Sequence, residues 1–270
     1  MRGFLLFLLA LLGPGIAHGQ AVSFATYRDA YIAALEASGM TDIRQEPGDA
    51  GTLTFKTPDG GEMKAFLDNG FRQYVENPGQ LHEIVGRFVR IATGGSPDAT
   101  APLTADRLVA LLRPSTMTKD FPPESPPVSR PFAGDLIEII AIDGKETLRY
   151  ANTNDLNALG LAADAAFSLA ERNVLTRIGA IDEASDSGIT ITAADSGLAT
   201  GLPVAPGYCA AGKPDRIYLL VDREHFLSVQ ADDEAAARLL RQVRTAMVAD
   251  QATMSSKLVK CSNGVWESVR

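Results

Sequence analysis

Apolar residues along the chain recur in two rhythms, and the rhythm changes at short clusters of proline and glycine. Tyr27, Tyr31 and Leu35, spaced by four, predict a helix over 24–38 with Ser23 as its cap. Two short runs, 53–56 and 62–66, flank Pro58-Asp59-Gly60-Gly61 and predict a hairpin. Leu81, Ile84, Val85, Phe88 and Ile91 return to helical spacing, and a shorter helix over 105–112 is expected to end at Pro114. Farther on, 136–142 and 146–150 flank Asp143-Gly144-Lys145, a strong turn signal because few residues tolerate positive φ there. Thr153 is available to cap a short helix, and Phe167, Ala170, Val174, Leu175 and Ile178 form the stripe of a longer one. Strands are expected at 180–183, 189–193, 217–221 and 226–229. A helix opened by Asp232-Asp233-Glu234 follows, its core face at Ala236, Leu239, Leu240, Val243 and Met247. Asn263-Gly264 closes a last hairpin over 257–269.

The strongest internal break is the proline-rich run 121–127, where missing backbone donors bias the chain to extended geometry. It predicts an N-terminal unit over 22–120, a linker over 121–127, a second unit over 128–250 and a hairpin tail over 251–270. Strands and helices come in separate runs rather than as βαβ repeats, so the expected fold class is α+β: two small units with antiparallel hairpins and flanking helices.

One feature is expected to place the chain outside the cytoplasm. Arg2, an apolar run over 4–12, the breaker Gly13-Pro14-Gly15 and small residues at Ala17 and Gly19 follow the order of a secretory signal peptide. Cleavage is expected before Gln20, with a cut after Ala21 as the alternative. The apolar run is about half the roughly 20 residues that span a bilayer, so no stable membrane span is expected. In an oxidising compartment Cys209 and Cys261 are expected to pair as a disulfide, the alternative being two separate buried thiols. The formal charge of −8 and the absence of a dense basic run argue against nucleic acid as a partner.

Chemistry is sparse. Phosphate loops ending in Lys-Ser/Thr, Gly-x-Gly-x-x-Gly, Gly-x-Ser-x-Gly and His-Glu-x-x-His are all missing. After export only His82 and His225 remain, too few for a zinc site once the cysteines pair, so neither metal nor cofactor is expected. A boundary position and a turn account for these histidines as well as a general-base role does. Acidic residues at Asp182-Glu183 with Asp186, and at Asp232-Asp233-Glu234, lack the alternating ligands of a calcium loop. The run from Pro127 to Leu136 stands out. Arg130 could hold an anionic group while Asp135 orients it or acts as a base, with Tyr150 nearby. Alternatively, Arg130 and Asp135 pair across the bend and Gly134 supplies an unusual backbone conformation.

Ser129-Arg130-Pro131-Phe132-Ala133-Gly134-Asp135-Leu136, the Asp143-Gly144 hairpin, Leu148-Arg149-Tyr150, Asp155-Leu156 and Leu159-Gly160-Leu161 before a long helix resemble, in that order, the bacterial YtpQ-like family, domain of unknown function (DUF) 1444. Phe66-Leu67-Asp68-Asn69 and the strand pair plus helix over 217–249 extend the likeness over most of 23–250. The resemblance carries no established activity, and the signal segment, the cysteine pair and the tail depart from its pattern. The expected function is a non-catalytic envelope module that binds a protein or a small ligand. The alternative is an enzyme, a hydrolase among the candidates, with a site near Arg130, Asp135 and Tyr150 between the two units.

Overall fold

The computed structural model describes residues 22–46, 49–94, 101–121, 123–145, 147–194, 196–249 and 253–269. The expected signal segment and its cleavage point lie outside them. The fold is α+β, and the chain divides into two compact units at Ala99/Thr100.

The first unit contains α1 (Phe24–Ala37), β1 (Thr41–Glu46), β2 (Asp49–Lys56), β3 (Glu62–Phe66), α2 (Asp68–Glu76) and α3 (Leu81–Ala92). Ser23 caps α1 by accepting from the Thr26 amide at 3.1 Å. Tyr27, Tyr31 and Leu35 pack with Leu53, Phe55, Ile84 and Val85 over the antiparallel sheet β1-β2-β3. Strand β1 has no apolar period and is not anticipated by the pattern; it is a mostly exposed edge held by backbone pairing to β2.

In the second unit, β4 (Leu108–Pro114), β5 (Ser129–Pro131), β6 (Leu136–Asp143) and β7 (Leu148–Tyr150) form one antiparallel sheet. Helices α4 (Thr153–Ala158) and α5 (Ala163–Arg177) cover one face of it, against Leu108, Ala110, Ile140 and Ile142. The other face, with Val109, Leu111, Ile139 and Ala141, packs on a six-stranded antiparallel sheet. That sheet takes in β8 (Asp182–Asp186), β9 (Ile189–Ala193), β10 (Arg216–Leu220), β11 (His225–Gln230), β12 (Val259–Ser262) and β13 (Val265–Ser268). Its order is β13-β12-β10-β11-β9-β8, and α6 (Glu234–Ala249) lies on its outer face against Ile217, Leu219 and Val229. Strict alternation sorts β10, sending Tyr218 and Leu220 between the sheets and Ile217 and Leu219 toward α6. Among the described residues no helix is long and apolar enough to cross a membrane.

Several expectations are corrected. The unit boundary is not the proline-rich run: β4 pairs with β6 from Leu108↔Ile142 to Pro114↔Leu136, which ties the chain before that run into the second unit. The helix expected over 105–112 is strand β4, because Leu-Val-Ala-Leu-Leu is buried on both faces and such a run carries no period. The tail is no appendage, since β12 extends the large sheet by pairing with β10. Asn152, not Thr153, caps α4, in a reciprocal box with Asp155. Leu175 leaves the core stripe of α5 and is half exposed.

Candidate functional site

The side chains with a chemical case gather at β5, an edge strand. Backbone pairing sets Arg130 opposite Glu138, and Glu138 opposite Leu112, so all three project from the helix-facing side of the sheet. Phe167 and Glu171, one turn apart on α5, meet them there. The Arg130 guanidinium lies 4.3 Å from the centre of the Phe167 ring. Its Nε donates to Glu138 Oε2 at 2.7 Å and its Nη2 to Glu171 Oε1 at 2.5 Å.

These groups differ sharply in solvent access. The side chain of Glu138 is 3 % exposed, that of Glu171 22 % and that of Arg130 42 %. Burial pushes the Glu138 carboxyl up to about 7; Arg130 opposes that rise, and Glu171 adds to it by repelling the charged form. Glu138 Oε1 is buried with no hydrogen-bond partner among the described residues, which fits a carboxyl that holds a proton rather than a full charge. In the unfolded chain Glu138 titrates at about 4.3. Between that value and 7 the folded state therefore binds more protons than the unfolded one, and stability falls as pH rises. Glu138→Gln, which mimics the neutral form, is expected to remove up to about 1.4 kcal/mol per pH unit of that slope, read from urea melts between pH 5 and 8.

The triad lines a cavity of about 360 Å³. Phe132 and Trp266, with ring centres 5.2 Å apart, form one wall. The segment 203–207, which begins in the last residues of a 3₁₀ turn at Ala199–Val204, also lines it. That turn sits tight on β4: a Cβ on Gly201 would lie 2.6 Å from the Ala110 carbonyl oxygen. Cys209, also in the wall, is bonded to Cys261 across 52 residues, and Cys261 pairs with Trp266 in the β12-β13 ladder. The disulfide thus fastens a lining residue just beyond 203–207 to the strand pair that carries Trp266.

The expected trio does not converge. Arg130 lies in the cavity but does not pair with Asp135. Asp135 instead accepts from the Ser255 and Ser256 hydroxyls, each at 2.6 Å, and from the Ser256 amide at 2.8 Å, tying the bend before β6 to the entry of the tail. Gly134, at φ +68°, lets the chain turn there with Lys257 close by. Burial raises the Asp135 pKa, but the serine hydrogen bonds outweigh it and hold the carboxyl below its usual range. This stabilisation is present above the unfolded pKa and is lost as pH falls through the folded one. Asp135→Ala is expected to cost about 1.5–3 kcal/mol at pH 7, and less at pH 3, in chemical denaturation.

Tyr150 faces the layer between the sheets, where its hydroxyl accepts from Arg113 Nε at 2.9 Å. Arg113 is buried, donates also to Leu112 O and Thr200 Oγ1, and meets no carboxylate among the described residues; desolvation lowers its pKa. His225 holds Asp222 at 3.0 Å inside a turn, and His82 is exposed on α3. Asp182, Glu183 and Asp186 lie on exposed β8, while Asp233 caps α6 through the Ala236 amide. Among the described residues no three His, Cys, Asp or Glu side chains are grouped to hold a metal ion. Sequence reasoning missed Glu138, Glu171 and Trp266. For Glu138 a signal existed, a lone carboxylate inside Leu-Ile-Glu-Ile-Ile-Ala-Ile. Comparison with protein-family models, curated proteins and solved structures returns no match.

Proposed function

We propose that this is an exported, disulfide-fastened envelope protein that binds a small ligand in the cavity at Arg130, Glu138 and Glu171. The observation that carries the reading is the buried Glu138 in the wall of an aromatic-sided cavity, held with Glu171 on one guanidinium. A pocket of this volume with a few convergent polar groups has the anatomy of a small-molecule site. Export rests on the pattern of residues 1–19 and agrees with the Cys209–Cys261 bond. The motif order that resembles the YtpQ-like family supports a shared fold for most of the chain and assigns no ligand. A thermal-shift screen of the protein starting at Gln20 against carboxylic acids, amines and sugars tests the proposal. A hit that raises the melting temperature of the parent and not of Glu171→Gln supports it; a screen with no hit, or with hits indifferent to that change, rejects it.

One observation favours a second reading as a hydrolase. A carboxyl raised to about 7 beside a second carboxylate is the pairing that supplies an acid and a base at neutral pH, with Glu138 giving a proton and Glu171 activating water. Under this reading hydrolysis fails in both Glu138→Gln and Glu171→Gln while ligand binding survives in the former. Asp135 and Tyr150, engaged elsewhere in the second unit, drop out of it.

A further inference from the structure

The charges of the triad are compensated from within, which narrows what the cavity can take. One guanidinium faces two carboxyl groups, one of them so buried that its ionised form is disfavoured, so the cluster carries no excess positive charge and at most one negative charge. An organic cation entering here meets Arg130; an anion meets Glu171. Neither finds the desolvated, opposite charge that would offset the loss of its own hydration. A neutral ligand avoids that penalty. It does need to satisfy a donor and an acceptor lying side by side. Arg130 Nη1 makes no hydrogen bond among the described residues, and its guanidinium is held in plane by Phe167 beneath and by a carboxylate on both Nε and Nη2. Glu171, still 22 % exposed, is the adjacent acceptor. Adjacent hydroxyls on one ring accept from the first and donate to the second. Trp266 and Phe132 offer an apolar wall suited to the C–H face of such a ring.

We infer that the cavity binds a neutral polyhydroxylated ring, a pyranose sugar either free or as the end of a saccharide chain, with its hydroxyls on Arg130 and Glu171 and its apolar face on Trp266. This deepens the small-ligand reading above and rests on it.

Trp266 is the chain's single tryptophan, so the tryptophan emission of the intact protein reports this wall alone. The oxidised protein starting at Gln20 is titrated with glucose, galactose and N-acetylglucosamine as free sugars, and with maltotetraose and chitotetraose as chain ends, each to about 100 mM, far above a millimolar dissociation constant. Benzoate and benzyltrimethylammonium are the charged arms. At least one saccharide is expected to change Trp266 emission saturably, with its half-point raised at least about tenfold by Glu171→Gln and by Phe132→Leu, and neither charged probe is expected to act. Circular dichroism confirms that both variants are folded. A response to the tetrasaccharides alone assigns a chain end; a response to a monosaccharide assigns a free sugar. Saccharides without effect overturn the inference, as does a saccharide response untouched by both variants. If benzoate or the ammonium probe saturates instead and the variants weaken it, the sugar assignment falls while the ligand pocket stands.

Discussion

Replacing Arg130 with alanine is expected to lower the unfolding free energy by about 2–4 kcal/mol at pH 8, less than the roughly 3–5 kcal/mol typical when both members of a buried pair are enclosed. The discount reflects Arg130 itself, whose side chain is 42 % exposed while that of Glu138 is 3 % exposed. Removing the guanidinium leaves Glu138 and Glu171 facing each other with no compensating charge. The Glu138 pKa then rises further, since its one lowering partner is gone. The cost follows pH: at pH 5 the carboxyl is protonated in parent and variant alike and the difference shrinks, whereas at pH 8 the variant must bury a charge or a proton out of equilibrium. Urea melts of parent and Arg130→Ala at both pH values read this directly. Equal costs at pH 5 and pH 8 would show that lost packing on Phe167, not charge, is what the substitution removes. Adding Glu138→Gln to Arg130→Ala should recover part of the loss at pH 8, because the enclosed carboxylate is then gone.

The second large effect is expected from the disulfide. Cys209 and Cys261 close a loop spanning 52 residues, for which the chain-entropy account gives about 4 kcal/mol. The double change Cys209→Ser/Cys261→Ser, or reduction with a dithiol, is expected to cost about 2–5 kcal/mol. It should also loosen the cavity more than the rest of the second unit, since the bond joins a lining residue just beyond 203–207 to the β12-β13 pair that carries Trp266. Trp266 emission would move before the far-ultraviolet dichroism changes. Simultaneous loss of both signals would mean that the bond holds the whole second unit together rather than its cavity. Two free thiols on the denatured, unreduced protein would remove the bond altogether.

Much of the cavity's chemistry is hidden from the sequence for reasons that can be named. Arg130 stood out because prolines and a glycine surround it, and the cavity does contain it. Proximity in the chain points to Asp135, five residues on, as its anion. Yet pairing in an antiparallel sheet joins residues by register, and the β5-β6 register sets Glu138 opposite Arg130. Asp135 falls in the bend, where Ser255 and Ser256 reach it from 120 and 121 residues away. Glu171 looks like an ordinary solvated position between Ala170 and Arg172, and only the packing of α5 on the sheet directs it to the guanidinium. Trp266 reads as part of a tail hairpin until the β12-β10 pairing brings that hairpin into the second unit.

Local signals alone were enough for helices α1, α3, α5 and α6, the hairpins at Asp143-Gly144 and Asn263-Gly264, and the α+β class. Each depends on a period or on a turn residue whose preference is intrinsic to a few consecutive positions. Pairing of the two cysteines was also reached, from their even count and the expected compartment, and the structure has it. Tertiary structure alone decided what has no local signature. Strand β4 is apolar on both faces and so carries no period, and its partner, β6, lies beyond the proline-rich run that suggested a boundary. The carboxylates around Arg130 were decided in the same way, by sheet register and helix packing across tens of residues. A charge inside a strand costs free energy unless something meets it, and what meets it is chosen by the fold as a whole.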